Sequence, residues 1–233
     1  MIDYQNIETL IGENFGMNLE TKRINFFNRR SINLDITHRC TLQCPKCNRQ
    51  LFTLRGLKVP GQDMTVSQFK KIIKFVNKIS FCGQISDPIF NPYFLEFLKL
   101  TYDNNIKVDV KTAASHKSKD WYIKAFKQNP NAQWTFGIDG LPKDSHKHRV
   151  NQDGEYLFDI MLLSKKYIKK TTWQCIVFSY NENNIKQLKQ MAKKNDLELK
   201  FFYSSRFYED DPLKPKNKEY FIKRDWKPRA SLK

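Results

Sequence analysis

Long apolar segments are missing from this sequence of 233 residues. No apolar run approaches the roughly 18–20 residues that a membrane-spanning helix requires. Residues 1–5 also lack the basic start and apolar continuation of a secretory signal peptide. These absences argue against a transmembrane helix and an exported protein, so we expect a cytoplasmic location and no membrane among the partners.

Acidic residues are scarce relative to basic ones. The chain has 24 Asp and Glu against 41 Lys and Arg, which gives a net charge of +17. Because 40% of the residues are hydrophobic and 14% are aromatic, the composition still excludes a disordered chain. Such a charge favours an anionic partner where the cations cluster, although solvated helix faces account for much of it.

The positive charge is densest near the C-terminus. Residues 212–233 hold eight basic and two acidic side chains, with aromatic residues between them. This mixture suits phosphate contacts and base stacking, or a tail that packs back through its aromatics. We divide the chain into an N-terminal extension (1–30), a core domain (31–205) and a basic, aromatic-containing tail (206–233).

Strand-like and helix-like patterns alternate along the core domain. Six strands separated by five helix-sized segments predict a parallel α/β sheet, as a closed or partial barrel or as a doubly wound fold. The strands are predicted at 31–37, 79–83, 106–112, 133–138, 172–179 and 197–203. The main helices are predicted at 69–79, with a capping box at 65–68, and at 92–102, 119–128, 156–168 and 183–195.

Three of the five cysteines, Cys40, Cys44 and Cys47, fall within eight residues directly after the first predicted strand. In a chain without an export signal, this crowding indicates a metal or redox site. A structural zinc site needs four ligands, so His38 with the three cysteines keeps open a zinc-stabilised nucleic-acid-binding module. Alternatively, three thiolates on a four-iron cluster leave one iron free for an exogenous ligand.

The cysteine pattern, with three and then two residues between the cysteines, resembles the signature of the radical S-adenosylmethionine enzymes. The resemblance implies a partial (β/α)6 TIM-like barrel and a [4Fe-4S] cluster ligated by Cys40, Cys44 and Cys47. It also implies that S-adenosylmethionine binds the open iron and is cleaved to a 5′-deoxyadenosyl radical, which abstracts hydrogen from a substrate. The remaining cysteines, Cys82 and Cys175, lie inside predicted strands and are interpreted as core residues.

Later segments resemble the cofactor-binding motifs of the same family. Gly83 and Asp87 stand where the family has a glycine-rich motif that grips the methionine amine, and Asp87 is expected to supply the carboxylate. Thr112 stands at the third strand, where the family has a Ser/Thr-Asn-Gly motif near the ribose. The resemblance therefore implies that Gly83, Asp87 and Thr112 bind the cofactor.

The fourth and fifth strands resemble those of the peptide-modifying, SPASM-like subgroup. Asp139 lies in an Ile-Asp-Gly motif, Arg149 follows where that subgroup places an arginine near the cofactor carboxylate, and Gln174 lies on the fifth strand. These three residues are expected to bind the cofactor, whereas His148 is interpreted as a surface residue, with a role as proton donor as the alternative. No cysteine follows Cys175, so a C-terminal auxiliary cluster is not expected.

Lys46, before the third cysteine, replaces the aromatic or apolar residue that the family commonly has there. We expect its stem to pack in the site and its ammonium group to reach solvent. The substrate is expected to be a peptide or protein side chain, with RNA or a nucleotide as the alternative. An electron donor such as flavodoxin or ferredoxin is the further partner that the resemblance implies.

Overall fold

The fold is a six-stranded parallel sheet whose strands follow one another in chain order, in a computed structural model that describes residues 31–222. The strands are β1 (Ser31–Leu34), β2 (Lys78–Phe81), β3 (Lys107–Thr112), β4 (Gln133–Gly137), β5 (Lys170–Ile176) and β6 (Glu198–Phe202). The α-helices are α1 (Asn48–Leu54), α2 (Val66–Ile73), α3 (Phe94–Asp103), α4 (Lys119–Gln128), α5 (Gly154–Ser164) and α6 (Ile185–Lys194).

The strand order distinguishes between the two predicted architectures. A doubly wound sheet reverses its strand order at one point, whereas here each strand pairs with the next from β1 to β6. Within the described residues β1 pairs only with β2, and β6 only with β5, so the sheet is open between its first and last strands. The predicted partial barrel is therefore confirmed.

Aromatic side chains fill the space between the sheet and its helices. Phe69 stacks on Phe97 with ring centroids 4.3 Å apart, and Phe126 meets Trp134 edge to face at 5.0 Å. All four are fully buried. Burial of a large apolar side chain contributes about 1.5–3 kcal/mol, so this layer fixes the helices against the strands and gives the site a rigid base.

Several predicted element boundaries differ from the structure. The first strand ends at Leu34 because the Gln84 amide donates to the Asp35 side-chain carboxylate rather than to a backbone carbonyl of that strand, and the Ser86 hydroxyl donates to the same carboxylate. The capping box at Thr65 is present, but its helix begins at Val66 and ends earlier than predicted. The short helix α1, which directly follows the cysteines, was not predicted.

Part of the predicted tail packs onto the core domain. Ser204 forms an isolated bridge with Phe221, and Phe207 meets Phe178 edge to face at 6.0 Å. The Glu182 carboxylate accepts hydrogen bonds from the backbone amides of Lys216 and Asn217. Residues 206–222, named here the C-terminal segment, therefore form a wall of the domain.

The predicted N-terminal extension and residues 223–233 of the predicted tail lie outside the described residues. No helix in the described part of the chain has the length and apolar character to cross a membrane.

Candidate active site

A cavity of about 390 Å³ lies at the carboxyl ends of the strands. Residues that follow β2 and β3 line it, as do residues at the ends of β5 and β6. Barrels of β/α units place their functional groups at this end, because the loops after parallel strands converge there. The cavity is lined by seven of the predicted site residues: Cys40, Cys44, Cys47, Gly83, Asp87, Arg149 and Gln174.

The three cysteines lie in the loop between β1 and α1, named here the cysteine loop (residues 38–47). The Cys47 amide bonds to the Cys44 carbonyl at 3.0 Å, and Cys47 is the N-cap of α1. The Gln43 amide donates to the Val150 carbonyl at 3.1 Å, and the Arg49 guanidinium donates to the Ile85 carbonyl at 3.2 Å. These bonds tie the loop to the neighbouring strand ends.

The thiols of the cysteine loop are free and half-buried. Burial raises the pKa of Cys40 to about 12, and the nearby Asp87 carboxylate adds to the rise. Burial also raises the pKa of Cys44 to about 11, although the Arg149 guanidinium opposes it. The raised pKa values favour the protonated thiols of Cys40 and Cys44 at neutral pH, so a metal that binds them must displace their protons.

Three free thiols reach one cavity from this loop, and three thiolates are a donor set that a four-iron cluster with one open iron can use. No group of three or more His, Cys, Asp or Glu among residues 31–222 is already arranged around a single metal position. His38 does not line the cavity, and its Nδ1 is 3.9 Å from the Asp63 carboxylate. A [4Fe-4S] cluster binds each thiolate at a different iron, so its sulfur ligands stay apart.

Asp87 is enclosed by donors from the protein itself. Its carboxylate accepts bonds from the Thr112 hydroxyl at 2.9 Å and from the amides of Ala113 and Ala114 at 2.9 and 3.1 Å. Burial raises the pKa of Asp87, and these hydrogen bonds oppose the rise. Thr112 does not line the cavity. Asp87 therefore lines the cavity while its carboxylate joins the end of β2 to the end of β3, and Thr112 holds that carboxylate from behind.

Gly83 makes a tight turn possible at the end of β2. A Cβ atom at this position would lie 1.7 Å from the Ser86 carbonyl oxygen, far inside van der Waals contact. Residues 83–86 can therefore fold back on themselves, and all four line the cavity. Gln174 reaches the cavity from β5, where its own carbonyl accepts the Ile138 amide at 3.0 Å.

A fully buried carboxylate, Asp139, organises the opposite wall. Its oxygens lie 2.9 Å from Arg149 Nε and 2.9 Å from His148 Nδ1, and they accept the Ile176 amide at 2.8 Å. Burial opposes ionisation, but the Arg149 and His148 side chains outweigh it and lower the pKa of Asp139. Asp139 does not itself line the cavity, and its carboxylate contacts Arg149 and His148, which do.

Gly137 leaves the space that Arg149 occupies. A Cβ atom at Gly137 would lie 2.8 Å from Arg149 Nη2. The guanidinium is held between Asp139 and the cavity, where it also influences the Cys44 thiol. A cation in this position can bind the carboxylate of a ligand that also reaches the cysteine loop.

His148 was wrongly interpreted as a surface residue. It is 5% exposed, lines the cavity, and stacks against Phe178 with centroids 4.2 Å apart. Its Nδ1 faces Asp139, while its buried Nε2 has no hydrogen-bond partner among residues 31–222. Its place directly before Arg149 was the signal available in the sequence, but the turn that buries it is set by tertiary contacts.

Lys46 also differs from expectation. Its side chain is only 16% exposed, and its ammonium group pairs with Asp211 of the C-terminal segment instead of reaching solvent. Arg206 of the same segment lines the cavity and donates a hydrogen bond of 3.1 Å to the Lys46 carbonyl. These contacts were not predicted, because the partners lie 160 or more residues apart.

Comparisons with solved structures identify the fold. The structure of Streptococcus suis SuiB bound to S-adenosylmethionine matches with a TM-score of 0.63 at 13% identity, covering 92% of this chain and 54% of that one. Native anSMEcpe with bound AdoMet and the Cp18Cys peptide matches with a TM-score of 0.56 at 18% identity, covering 74% and 50%. Methylornithine synthase, PylB, matches with a TM-score of 0.57 at 15% identity, covering 91% and 64%.

The chain spans about half the length of SuiB and anSMEcpe. No protein-family model matches the sequence, and no curated protein matches it either. SuiB, anSMEcpe and PylB are radical S-adenosylmethionine enzymes. The chain therefore has the fold of the radical S-adenosylmethionine enzymes.

Proposed function

We propose that this protein is a radical S-adenosylmethionine enzyme. The observation that carries the proposal is the meeting of three free cysteines with Arg149 and Gln174 on one cavity, at the carboxyl ends of a six-stranded partial barrel. The shared fold supports it independently. Cys40, Cys44 and Cys47 would hold a [4Fe-4S] cluster with one open iron, which supplies the electron that cleaves S-adenosylmethionine to a 5′-deoxyadenosyl radical.

The chain's own residues bind and orient the cofactor. Asp139 fixes Arg149 at 2.9 Å, so that its guanidinium can pair with the methionine carboxylate. The turn that Gly83 permits lines the same cavity, where its backbone would be the partner of the methionine ammonium group. Asp87 ties that turn to the end of β3 through Thr112 and Ala113.

The test begins with metal and sulfide content. Protein purified and reconstituted without oxygen should contain about four irons and four sulfides per chain. After reduction with dithionite, addition of S-adenosylmethionine should yield 5′-deoxyadenosine, measured by liquid chromatography and mass spectrometry. Stoichiometric zinc without sulfide would instead support the zinc-stabilised module and overturn the proposal.

Cysteine variants provide the matched control. Cys44→Ala should abolish the product, because it removes a ligand from the cavity. Cys82→Ala removes a half-buried thiol that does not line the cavity, and it should retain both cluster and product. Equal losses in the two variants would show that the effect is on folding rather than on ligation.

We further propose that the substrate is a peptide or protein side chain. Among the similar structures, anSMEcpe holds the Cp18Cys peptide and SuiB holds the precursor peptide SuiA. The open edge between β1 and β6 gives an extended chain a route toward the cavity. RNA or a nucleotide is favoured only by the net charge of +17. The affinity for a model RNA, measured at two salt concentrations, distinguishes the two substrate classes, because phosphate contacts give a steep salt dependence.

An electron donor of the flavodoxin or ferredoxin type completes the proposal, in a cytoplasmic protein. The positive net charge complements the acidic surfaces that such a partner would need for electrostatic steering. A stopped-flow measurement of cluster reduction by each donor at increasing salt tests it. A rate that is independent of salt would contradict this kind of docking.

A further inference from the structure

Lys46 is a buried cation in the middle of the cysteine loop. It lies between Cys44 and Cys47, and its side chain is 16% exposed. Its Nζ is 4.5 Å from the centroid of the Tyr208 ring and 6.0 Å from that of Phe207. A buried ammonium group is costly unless a counterion and other favourable contacts compensate for the lost hydration. The sequence near the loop does not supply this counterion.

Asp211 supplies it from the other end of the described chain. Its side chain is 1% exposed, and one carboxylate oxygen pairs with the Lys46 ammonium group. The other oxygen accepts the Leu213 amide at 3.0 Å, while the Asp211 carbonyl accepts the Lys214 amide at 2.9 Å. These local bonds fix the position of the Asp211 carboxylate independently of its contact with Lys46.

The turn that holds Asp211 is itself fixed to the barrel. The Ser179 amide donates to the Leu213 carbonyl at 3.0 Å, and Glu182 accepts the Lys216 and Asn217 amides at 3.1 and 3.0 Å. A second tie runs from Arg206 to the Lys46 carbonyl. The C-terminal segment thus connects the end of β5 to the loop that carries the three thiols.

We propose that Asp211 is a positioning residue of this site, which fixes the cysteine loop by binding Lys46. The inference rests on the proposed function, since the loop matters to catalysis only if its cysteines ligate a cluster. Loss of Asp211 leaves this largely buried ammonium group without its counterion, and we expect the loop to shift so that the group gains hydration. The thiols at Cys44 and Cys47 then move with the residue between them.

A double-mutant cycle tests the coupling. The variants are Lys46→Met, Asp211→Asn and the two combined, with Asp210→Asn as a control on an exposed neighbouring carboxylate. Denaturant unfolding is measured on the purified, cluster-free chain. Each single variant should lower the midpoint and the double variant should regain most of the loss, because it contains no unpaired buried charge. Additive effects, or single variants that match Asp210→Asn, would overturn the proposal.

The positioning role is tested on the reconstituted protein. Asp211→Asn should lower 5′-deoxyadenosine formation by at least about tenfold and raise the KM for S-adenosylmethionine. It should also reduce the change that S-adenosylmethionine causes in the electron paramagnetic resonance spectrum of the reduced cluster. Lys46→Arg keeps the charge and should retain most of this response, which covers the case in which Asp211→Asn fails to fold.

The outcomes separate the two proposals. The wild type could assemble no cluster while the unfolding experiment still shows coupling between Lys46 and Asp211. The proposed function then fails, and so does the positioning role, because the ion pair is then a purely structural contact. If the wild type forms 5′-deoxyadenosine and Asp211→Asn forms it at the same rate, the function stands and the role of Asp211 is refuted.

Discussion

Replacing Asp139 by Asn should destabilise the protein strongly. Asp139 is fully buried and lies 2.9 Å from both Arg149 Nε and His148 Nδ1. Asparagine has almost the same shape but no charge, so Arg149 is left buried without a counterion. Breaking a buried ion pair by removing one partner costs about 3–5 kcal/mol, which is a large part of a typical stability of about 5–15 kcal/mol.

The assay is thermal unfolding at pH 7, followed by circular dichroism. For a domain of this size, each kcal/mol shifts the Tm by about 2–4 °C, so we expect a decrease of about 6–20 °C. Asp144→Asn is the control, because Asp144 pairs with Lys147 in a half-exposed surface bridge, and it should shift the Tm by less than about 4 °C.

Two results bear on the reasoning. Asp139→Asn combined with Arg149→Met removes both charges and should recover part of the lost stability. An Asp139→Asn protein that unfolds at the same temperature as Asp144→Asn would refute the claim that the buried carboxylate neutralises Arg149. The pH dependence of stability follows from the same ion pair. Folding lowers the pKa of Asp139, so the ionised carboxylate stabilises the protein fully above its ordinary pKa of 3.8, and this stabilisation is lost as the pH falls through the lowered value.

Three further predictions concern other parts of the fold. Gly83→Ala forces a methyl group onto the Ser86 carbonyl, so it should weaken S-adenosylmethionine binding in equilibrium dialysis while the iron content stays unchanged; unchanged affinity would contradict this. Thr112→Val removes one donor to the Asp87 carboxylate and should cost about 1.5–3 kcal/mol in denaturant unfolding; no loss would refute the stabilising role of this bond. Hydrogen bonds from a threonine hydroxyl and lysine ammonium groups lower the pKa of Glu198 to about 2. The wild type should therefore be more stable than Glu198→Gln at pH 5, by at most about 1 kcal/mol for this exposed group, and the difference should shrink at pH 3. A difference that grows as the pH falls would contradict the lowered pKa.

The architecture could be predicted because it depends on local patterns. Alternating strands and amphipathic helices indicate β/α units wherever they occur, and the capping box at Thr65 was read directly from its spacing. Strand ends were less predictable. The sequence 31–37 alternates throughout, yet the strand stops at Leu34, because the Asp35 side chain bonds to residues about 50 positions away.

In the candidate site, too, local features could be predicted and contacts between distant residues could not. The cysteine spacing is local and could be recognised, whereas the enclosure of Asp87 by Thr112 and two backbone amides depends on how β2 and β3 end side by side. In the sequence, His148 is one of several histidines in a polar stretch, and only the structure shows that its ring contacts Asp139. Lys46 and Asp211 are separated by 165 residues, and no sequence pattern relates them.

That separation also has a consequence for how the protein is made. At a synthesis rate of about 5–20 residues per second, the 165 residues between Lys46 and Asp211 take about 8–33 s to translate. During that interval the three cysteines have already been synthesised, whereas the part of the C-terminal segment that packs on their loop has not. A chain whose synthesis stops before residue 211 therefore contains the three cysteines but lacks Asp211, the counterion of Lys46.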